Sequence, residues 1–315
     1  MRHLALLASL ALAIGAEEPW LFVVGSYGDA SAPRLTVCAL DRASGTLTAL
    51  RTHGGIASPS YVAFAADGRH LYAVSEAQGG SVVALRIAEA GFAEVNRQAV
   101  AAGPCHLALS PDGRVLVVAN YSGGSTSFLP IAADGALGAA TTVAHQGRGP
   151  HPKRQQRPHA HGVAFLDAQD GARALVADLG TDRIAVYRLP ADGAPVAEDP
   201  IATAPGAGPR HLAVRGARLY SVNELDNTVT AWSWDAATAR ATLLASAPTL
   251  PAYFTAPNTA GGIAISADGR HLYASNRGQD ALAVFTLDAD GQPTPTGHIP
   301  VGGRTPRGFG LSPDG

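Results

Sequence analysis

The sequence predicts an all-β fold: a seven-bladed β-propeller with the last blade truncated, the alternative being a six-bladed ring closed by the C-terminal strand. Three observations carry this. First, one unit recurs: a short apolar strand, a turn of the type S-P-D-G-R, a second strand opening on Leu-Tyr, and a third of the type V-x-V-x-x-L. Residues 61–75 (YVAFAADGRHLYAVS), 106–120 (HLALSPDGRVLVVAN) and 263–276 (IAISADGRHLYASN) show its first half. Four short strands in about 40–50 residues is the spacing of propeller blades. Second, an Asp-Gly pair between alternating apolar runs is a hairpin signal. Third, 36 Gly and 22 Pro provide many turns, and no window sustains helical periodicity.

In chain order, residues 1–16 (MRHLALLASLALAIGA) come first. A short basic start, an apolar stretch and small residues before a cleavage point form a secretory signal pattern, and the apolar stretch is too short to span a bilayer. Residues 17–315 then form a single propeller domain, C-terminally incomplete. With strands named a to d from the channel outward, the domain opens on b (LFVVGS), c (LTVCAL) and d (LTALRT). Repeats begin near Pro59, Pro104, Ala160, Pro209, Ala260 and Pro306. Residues 144–158 and 247–258, rich in Pro, Gly, His and Arg, read as loops. The last residues, Ser312-Pro313-Asp314-Gly315, follow a strand a directly. A hairpin turn with no second strand leaves an unpaired edge, which favours truncation over a closed ring.

Composition excludes several functions. Charged residues are 15% and the formal net charge is −2, which disfavours nucleic-acid binding. Lysine occurs once, at Lys153, so Schiff-base chemistry has one candidate. There is no G-x-S-x-G elbow, no H-E-x-x-H, no P-loop and no dinucleotide fingerprint. Cys38 and Cys105 lack C-x-x-C spacing and fall in different repeats, so buried free thiols are expected rather than a thiolate metal site. No metal and no cofactor are expected.

In a repeat protein the shared residues build the scaffold, and the site lies where one blade departs from its siblings. Two columns ring the same mouth of the channel. Just before strand a stand Ser60, Cys105, His161, Arg210, Gly261 and Arg307; at the end of strand b stand Tyr27, Glu76, Tyr121, Leu179, Glu224 and Arg277. Three arginines at one mouth suit planar recognition of carboxylate or phosphate. His161 and His159, at i and i+2, fit acid–base work near neutral pH. Inside the second column lie Asn120, Asp178 and Asn276, short polar residues that either cap turns or offer hydrogen bonds to a ligand. His106 and His211 hold equivalent positions that suit blade packing, and His211 is also taken as a substrate contact.

The runs GPCHLALSPDGRVLVVANYSGGS, GRGPHPKRQQRPHAHGVAF, ADLGTDRIAVYRL, GAGPRHLAV, VNELDNTVTAW and YASNRGQDALAVFTLDADG closely resemble the seven-bladed propeller family of 6-phosphogluconolactonases, which includes fungal carboxy-muconate lactonizing enzymes. The resemblance covers nearly all of residues 20–315. It implies a metal-independent carboxylic-ester hydrolase acting on a small anionic sugar lactone, with no nucleic-acid or membrane partner. The implied active-site residues fall on PHAH, GPRH, NEL and SNRG: His161 with His159, then Arg210, Glu224 and Arg277. Of these, His161, Arg210, Glu224 and Arg277 are positions the two columns had singled out; His159, His211, Arg307, Asn120, Asp178 and Asn276 are taken from the residue reading as further substrate contacts. The leader implies a periplasmic or secreted protein, for which unphosphorylated sugar lactones are the alternative to the phosphorylated one; without a signal in residues 1–16 the protein is cytoplasmic. The other readings are a cycloisomerase on carboxylated muconolactones and a non-catalytic periplasmic binding or scaffold propeller.

Overall fold

The computed structural model describes residues 19–77, 79–88, 91–166, 171–190 and 194–312. The leader expected over residues 1–16 lies outside them. The described residues form β-strands joined by turns, in six antiparallel sheets. The first sheet has three strands, β1 (Trp20–Gly25), β2 (Leu35–Leu40) and β3 (Leu47–His53). Five four-stranded sheets follow. They are β4 (Val62–Phe64), β5 (His70–Ser75), β6 (Ser81–Ala88) and β7 (Gly91–Ala99); then β8 (Pro104–Leu109), β9 (Val115–Asn120), β10 (Ser125–Pro130) and β11 (Thr141–Ala144). Next come β12 (Ala160–Leu166), β13 (Arg173–Asp178), β14 (Arg183–Arg188) and β15 (Val196–Ala202), and β16 (Pro209–Arg215), β17 (Arg218–Asn223), β18 (Thr228–Asp235) and β19 (Arg240–Pro248). The last sheet is β20 (Thr259–Ile265), β21 (His271–Arg277), β22 (Ala281–Leu287) and β23 (Pro293–Pro300). Each sheet pairs its strands in chain order, which makes it a blade.

The core lies between blades. Five apolar clusters each join neighbouring sheets; one sets Leu107, Leu116 and Leu129 against Tyr72, Val74 and Val82 of the blade before. A second strand is therefore covered on both faces, and every residue of β5 and of β13 is buried. The Leu-Tyr pair that opens such a strand has a second use. Tyr72 and Tyr220 donate their hydroxyls to the carbonyls of Gly135 and Gly291, in an outer turn of the next blade, at 3.1 and 2.9 Å. The recurrent turn is held by its own residues: Asp112 accepts from Ser110 Oγ and the Arg114 N–H, and Gly113 takes φ +70°.

The inner strands are regular except at one point. β8, β12, β16 and β20 shift register against their partners, skipping Cys105, His161, Arg210 and the pair Gly261-Gly262. Each is a β-bulge, which re-aims the extra residue's side chain. The strand expected after Pro306 is not found. Residues 306–312 carry no ladder among the described residues, since no strand lies hydrogen-bonded beside them. They nevertheless stand where a further inner strand would: the Pro306 and Arg307 carbonyls lie against Gly261 and the Phe309 ring against Gly262. The molecule is thus a propeller of six blades and the start of another. Among the described residues no ladder joins that segment to β1. Both cysteines are buried free thiols.

Gly162 follows one bulge and permits the approach of β12 to β16: a Cβ there would lie 2.4 Å from the Arg210 carbonyl oxygen. Gly162→Ala must push two inner strands apart. The expected cost is about 1–3 kcal/mol, as for overpacking elsewhere. Urea unfolding at neutral pH measures it, and a midpoint equal to wild type would show that this seam yields freely.

Candidate active site

Residues of the two columns meet at the mouth through backbone bonds that tie each blade to its own turn. The Glu224 N–H donates to the Gly208 carbonyl at 2.8 Å, Tyr121 to Gly103 at 2.8 Å, Leu179 to His159 at 3.1 Å and Glu76 to Ser58 at 3.1 Å. The end of each second strand is thereby fixed beside the bulge of its first strand.

Glu224 is the hub. Arg210 Nε lies 2.9 Å and Arg277 Nη2 2.7 Å from its Oε2, and Arg154 Nη2 lies 2.5 Å from Oε1. Burial opposes ionisation of Glu224, but Arg210, Arg277 and Arg154 outweigh it and hold the carboxyl below its usual range. Arg210 is 1% exposed; burial pulls its guanidinium down to about 10 against the pull of Glu224, which leaves it charged at neutral pH. It also donates to the Gly261 carbonyl at 2.7 Å and meets His211 Nε2 at 3.3 Å. Arg277 donates to the Ala260 carbonyl at 2.8 Å. The cluster of three guanidinium groups and one carboxylate carries a formal excess of two positive charges.

His161 projects into this field. It is 4% exposed, and its Nδ1 has no hydrogen-bond partner among the described residues. Burial first, then Arg210, Arg307, His106 and Arg277, push its pKa well below the usual histidine value, so the ring is neutral. Beside it runs a ladder of rings: His161 to His211 at 5.1 Å, His211 to His106 at 4.8 Å, and His106 stacked on Tyr61 at 3.8 Å. His106 Nδ1 accepts from the Val163 N–H at 3.2 Å, which puts its proton on Nε2. His211 Nε2 faces the donor-only Arg210, which puts its proton on Nδ1. His159 stacks on Tyr121 at 4.5 Å and directs Nδ1 to the Tyr121 carbonyl at 3.1 Å, leaving Nε2 without a partner among the described residues.

The other expected contacts divide. Arg307 reaches the mouth, 3.7 Å from Glu76 and 5.3 Å from the Tyr27 ring. Asn120, Asp178 and Asn276, expected to touch substrate, are buried and hydrogen-bonded within the scaffold. Asn120 donates to Ser125 and Ser127 within its own blade. Asn276 is saturated by Thr249, Asn258 and Gln279. Asp178 receives the His159 and Gly180 N–H groups on one oxygen and His145 Nδ1, 2.6 Å away, on the other. The reason is geometric: these side chains fall one residue short of the mouth, inside the blade, where the nearest donors are those of the turn. Asp178 does border an outer groove of about 190 Å³ with His145, Arg183, Tyr187 and Glu198, away from the arginine cluster.

Sequence reading missed Arg154, in the insert read as a loop. Gln155, fully buried, anchors that loop through the Leu179 carbonyl at 2.8 Å and Asp182 at 2.6 Å, which sets Arg154 on Glu224 and on the Tyr121 hydroxyl at 3.1 Å. The signal available was compositional: an Arg-rich insert ending at His159.

Residues 21–315 match the family model described as "Lactonase, 7-bladed beta-propeller". Over 300 residues the chain is 30% identical to the 6-phosphogluconolactonase of Bacillus subtilis (strain 168), covering 92% of this chain and 84% of that one. It is 33% identical over 280 residues to the 6-phosphogluconolactonase of Pectobacterium carotovorum, covering 87% and 80%. Among solved structures, the periplasmic gluconolactonase of Pseudomonas aeruginosa superposes with a TM-score of 0.83 at 33% identity, covering 94% of this chain and 86% of that one.

The buried histidines make stability depend on pH. His106 is lowered to about 3, by burial and then Arg210, and His161 and His211 lie well below 6.5. The unfolded chain therefore binds more protons than the folded one below the ordinary histidine pKa, and stability falls as pH drops through that window. The urea midpoint is expected to decline between pH 7.5 and 5.0, and His106→Gln to flatten the slope. A midpoint that holds constant over that range would mean these rings protonate in the folded state.

Proposed function

The chain belongs to the seven-bladed β-propeller lactonase family, and on that premise we propose that it is a lactone hydrolase opening a sugar-acid lactone by attack of water. The observation that carries this is the unpartnered Nδ1 of neutral, buried His161 beside a cluster with two excess positive charges. Lactone opening needs a base for the water, a home for the oxyanion and a proton for the departing ring oxygen. His161 takes the proton from water. Its burial and the nearby arginines disfavour the imidazolium, so it readily passes that proton on to the leaving oxygen. The arginine cluster stabilises the negative charge of the tetrahedral intermediate, in a setting already organised before substrate arrives.

In this reading Glu224 positions the arginines and leaves the proton to His161. Both of its oxygens are engaged and its carboxyl is held below the usual range, so it acts by holding three arginines in place. Arg210 is sealed in and contributes field and position. Direct grip on an anion falls to Arg277 and Arg154, whose side chains are 13% and 35% exposed. Export to the periplasm fits the leader pattern and the Pseudomonas relative described as periplasmic. Among the described residues no helix is long and apolar enough to cross a membrane.

Acid release from glucono-1,5-lactone beside 6-phosphogluconolactone tests the activity and its substrate; release from neither at micromolar enzyme would remove it. His161→Gln should lower kcat by about 10²–10⁴-fold with the fold retained. Because the base is the neutral ring and its pKa is depressed, wild-type kcat/KM should stay level through neutral pH and fall only in acid below the ordinary histidine range. A half-point near 6.5 would assign the limb to another group. Arg154→Ala should raise KM for the anionic lactone several-fold while changing kcat little; equal KM values would place Arg154 outside the substrate contacts.

A further inference from the structure

Across the mouth from the arginine cluster stands a second carboxylate, Glu76. Its contacts all fall on one oxygen: Oε2 accepts from the Tyr27 hydroxyl at 2.8 Å and from Ser60 Oγ, and Arg307 Nη2 lies 3.7 Å away. Oε1 has no hydrogen-bond partner among the described residues, and the side chain is 20% exposed. Burial and the bond to Glu76 push the Tyr27 phenol up to about 12, so it remains a donor. Two hydroxyls thus pin the carboxylate, and its outer oxygen is a fixed, open acceptor.

The surroundings select what that acceptor takes. Arg307 beside it and the excess positive charge beyond disfavour a metal ion or an ammonium group. The carboxylate itself repels an anion. A neutral donor remains, and a carboxylate oxygen binds hydroxyl donors strongly. Glu76 also lies beside the ring ladder that leads to His161: Ser60, which bonds it, is followed by Tyr61, whose ring stacks on His106 at 3.8 Å, and His106 meets His211 at 4.8 Å and His211 meets His161 at 5.1 Å.

We propose that Glu76, held by Tyr27 and Ser60, is a hydroxyl-recognising subsite that binds the polyol part of the substrate while the arginines hold the oxyanion of the intermediate and the carboxylate of the opened acid. The proposal rests on the lactonase reading and assigns to Glu76 the recognition of the hydroxyls of a sugar-acid lactone. It sets unsubstituted ring esters at a disadvantage.

The test is calorimetric binding of gluconate and of hexanoate, acids of equal chain length with and without hydroxyls, to the full-length protein and to Glu76→Gln. Wild type should bind gluconate at least tenfold more tightly. In Glu76→Gln the ratio of the two affinities should fall about tenfold, the difference expected between a charge-assisted and a neutral hydrogen bond. Taking the ratio cancels the added attraction that both anions gain when a negative charge is removed. An unchanged ratio, or no gluconate preference in wild type, overturns the subsite. Loss of both affinities by one factor marks Glu76 as structural and overturns it equally. Hydrolysis of glucono-1,5-lactone, measured beside it, separates the two readings. Turnover with an unchanged ratio rejects only the subsite; a lost ratio without turnover rejects only the lactonase.

Discussion

The charged half of the mouth depends on one buried carboxylate. Three guanidinium groups converge on Glu224, one of them 1% exposed. Removing a partner from a buried pair costs about 3–5 kcal/mol, because the charge left behind has no water to turn to. Glu224 therefore has to stay ionised for Arg210 to stay buried, and Arg210 has to stay buried for the contact between β16 and β20 across the Gly261 carbonyl to form. Catalytic duty for the same carboxylate would conflict with this, since a group that must not change charge is a poor proton carrier. The excess of arginine over carboxylate is what remains available to an anion.

The second constraint is steric. A regular inner strand alternates its side chains between the two faces of its own blade. Those faces are filled by neighbouring blades, so a regular strand offers no residue to the channel mouth. Skipping one residue solves this. His161 and Arg210 occupy the skipped position in β12 and β16, and Cys105 occupies it in β8. The same irregularity presents a histidine and an arginine in two blades and, in a third, a thiol whose pKa burial pushes up to about 12. Glycine follows His161 because the next inner strand passes too close for any Cβ.

The mouth also joins two electrostatic characters. One side holds excess positive charge around Glu224, and the other holds Glu76 with an open oxygen. Between them sits a ladder of neutral rings, kept neutral by burial and by the arginines. A base of depressed pKa among cations suits a reaction in which the proton is held only briefly and negative charge builds on substrate oxygens.

By itself the sequence determined the blades, because the period of apolar runs and the Asp-Gly turns are local properties. It also determined the two columns, because equivalent positions in repeats can be compared without coordinates; His161, Arg210, Glu224 and Arg277 were legible for that reason. It did not distinguish the last strand residue from the next one. Asn120, Asp178 and Asn276 stand one step inside Tyr121, Leu179 and Arg277, and only pairing and burial reveal that this step turns a side chain from mouth to scaffold. Tertiary structure alone decided that Arg154 reaches Glu224, 70 residues away in sequence, since a loop's destination depends on its anchors, here Gln155 on Asp182. It alone also decided that Glu224 is ion-paired to three arginines, since the surroundings of a carboxylate depend on which charges meet it in space.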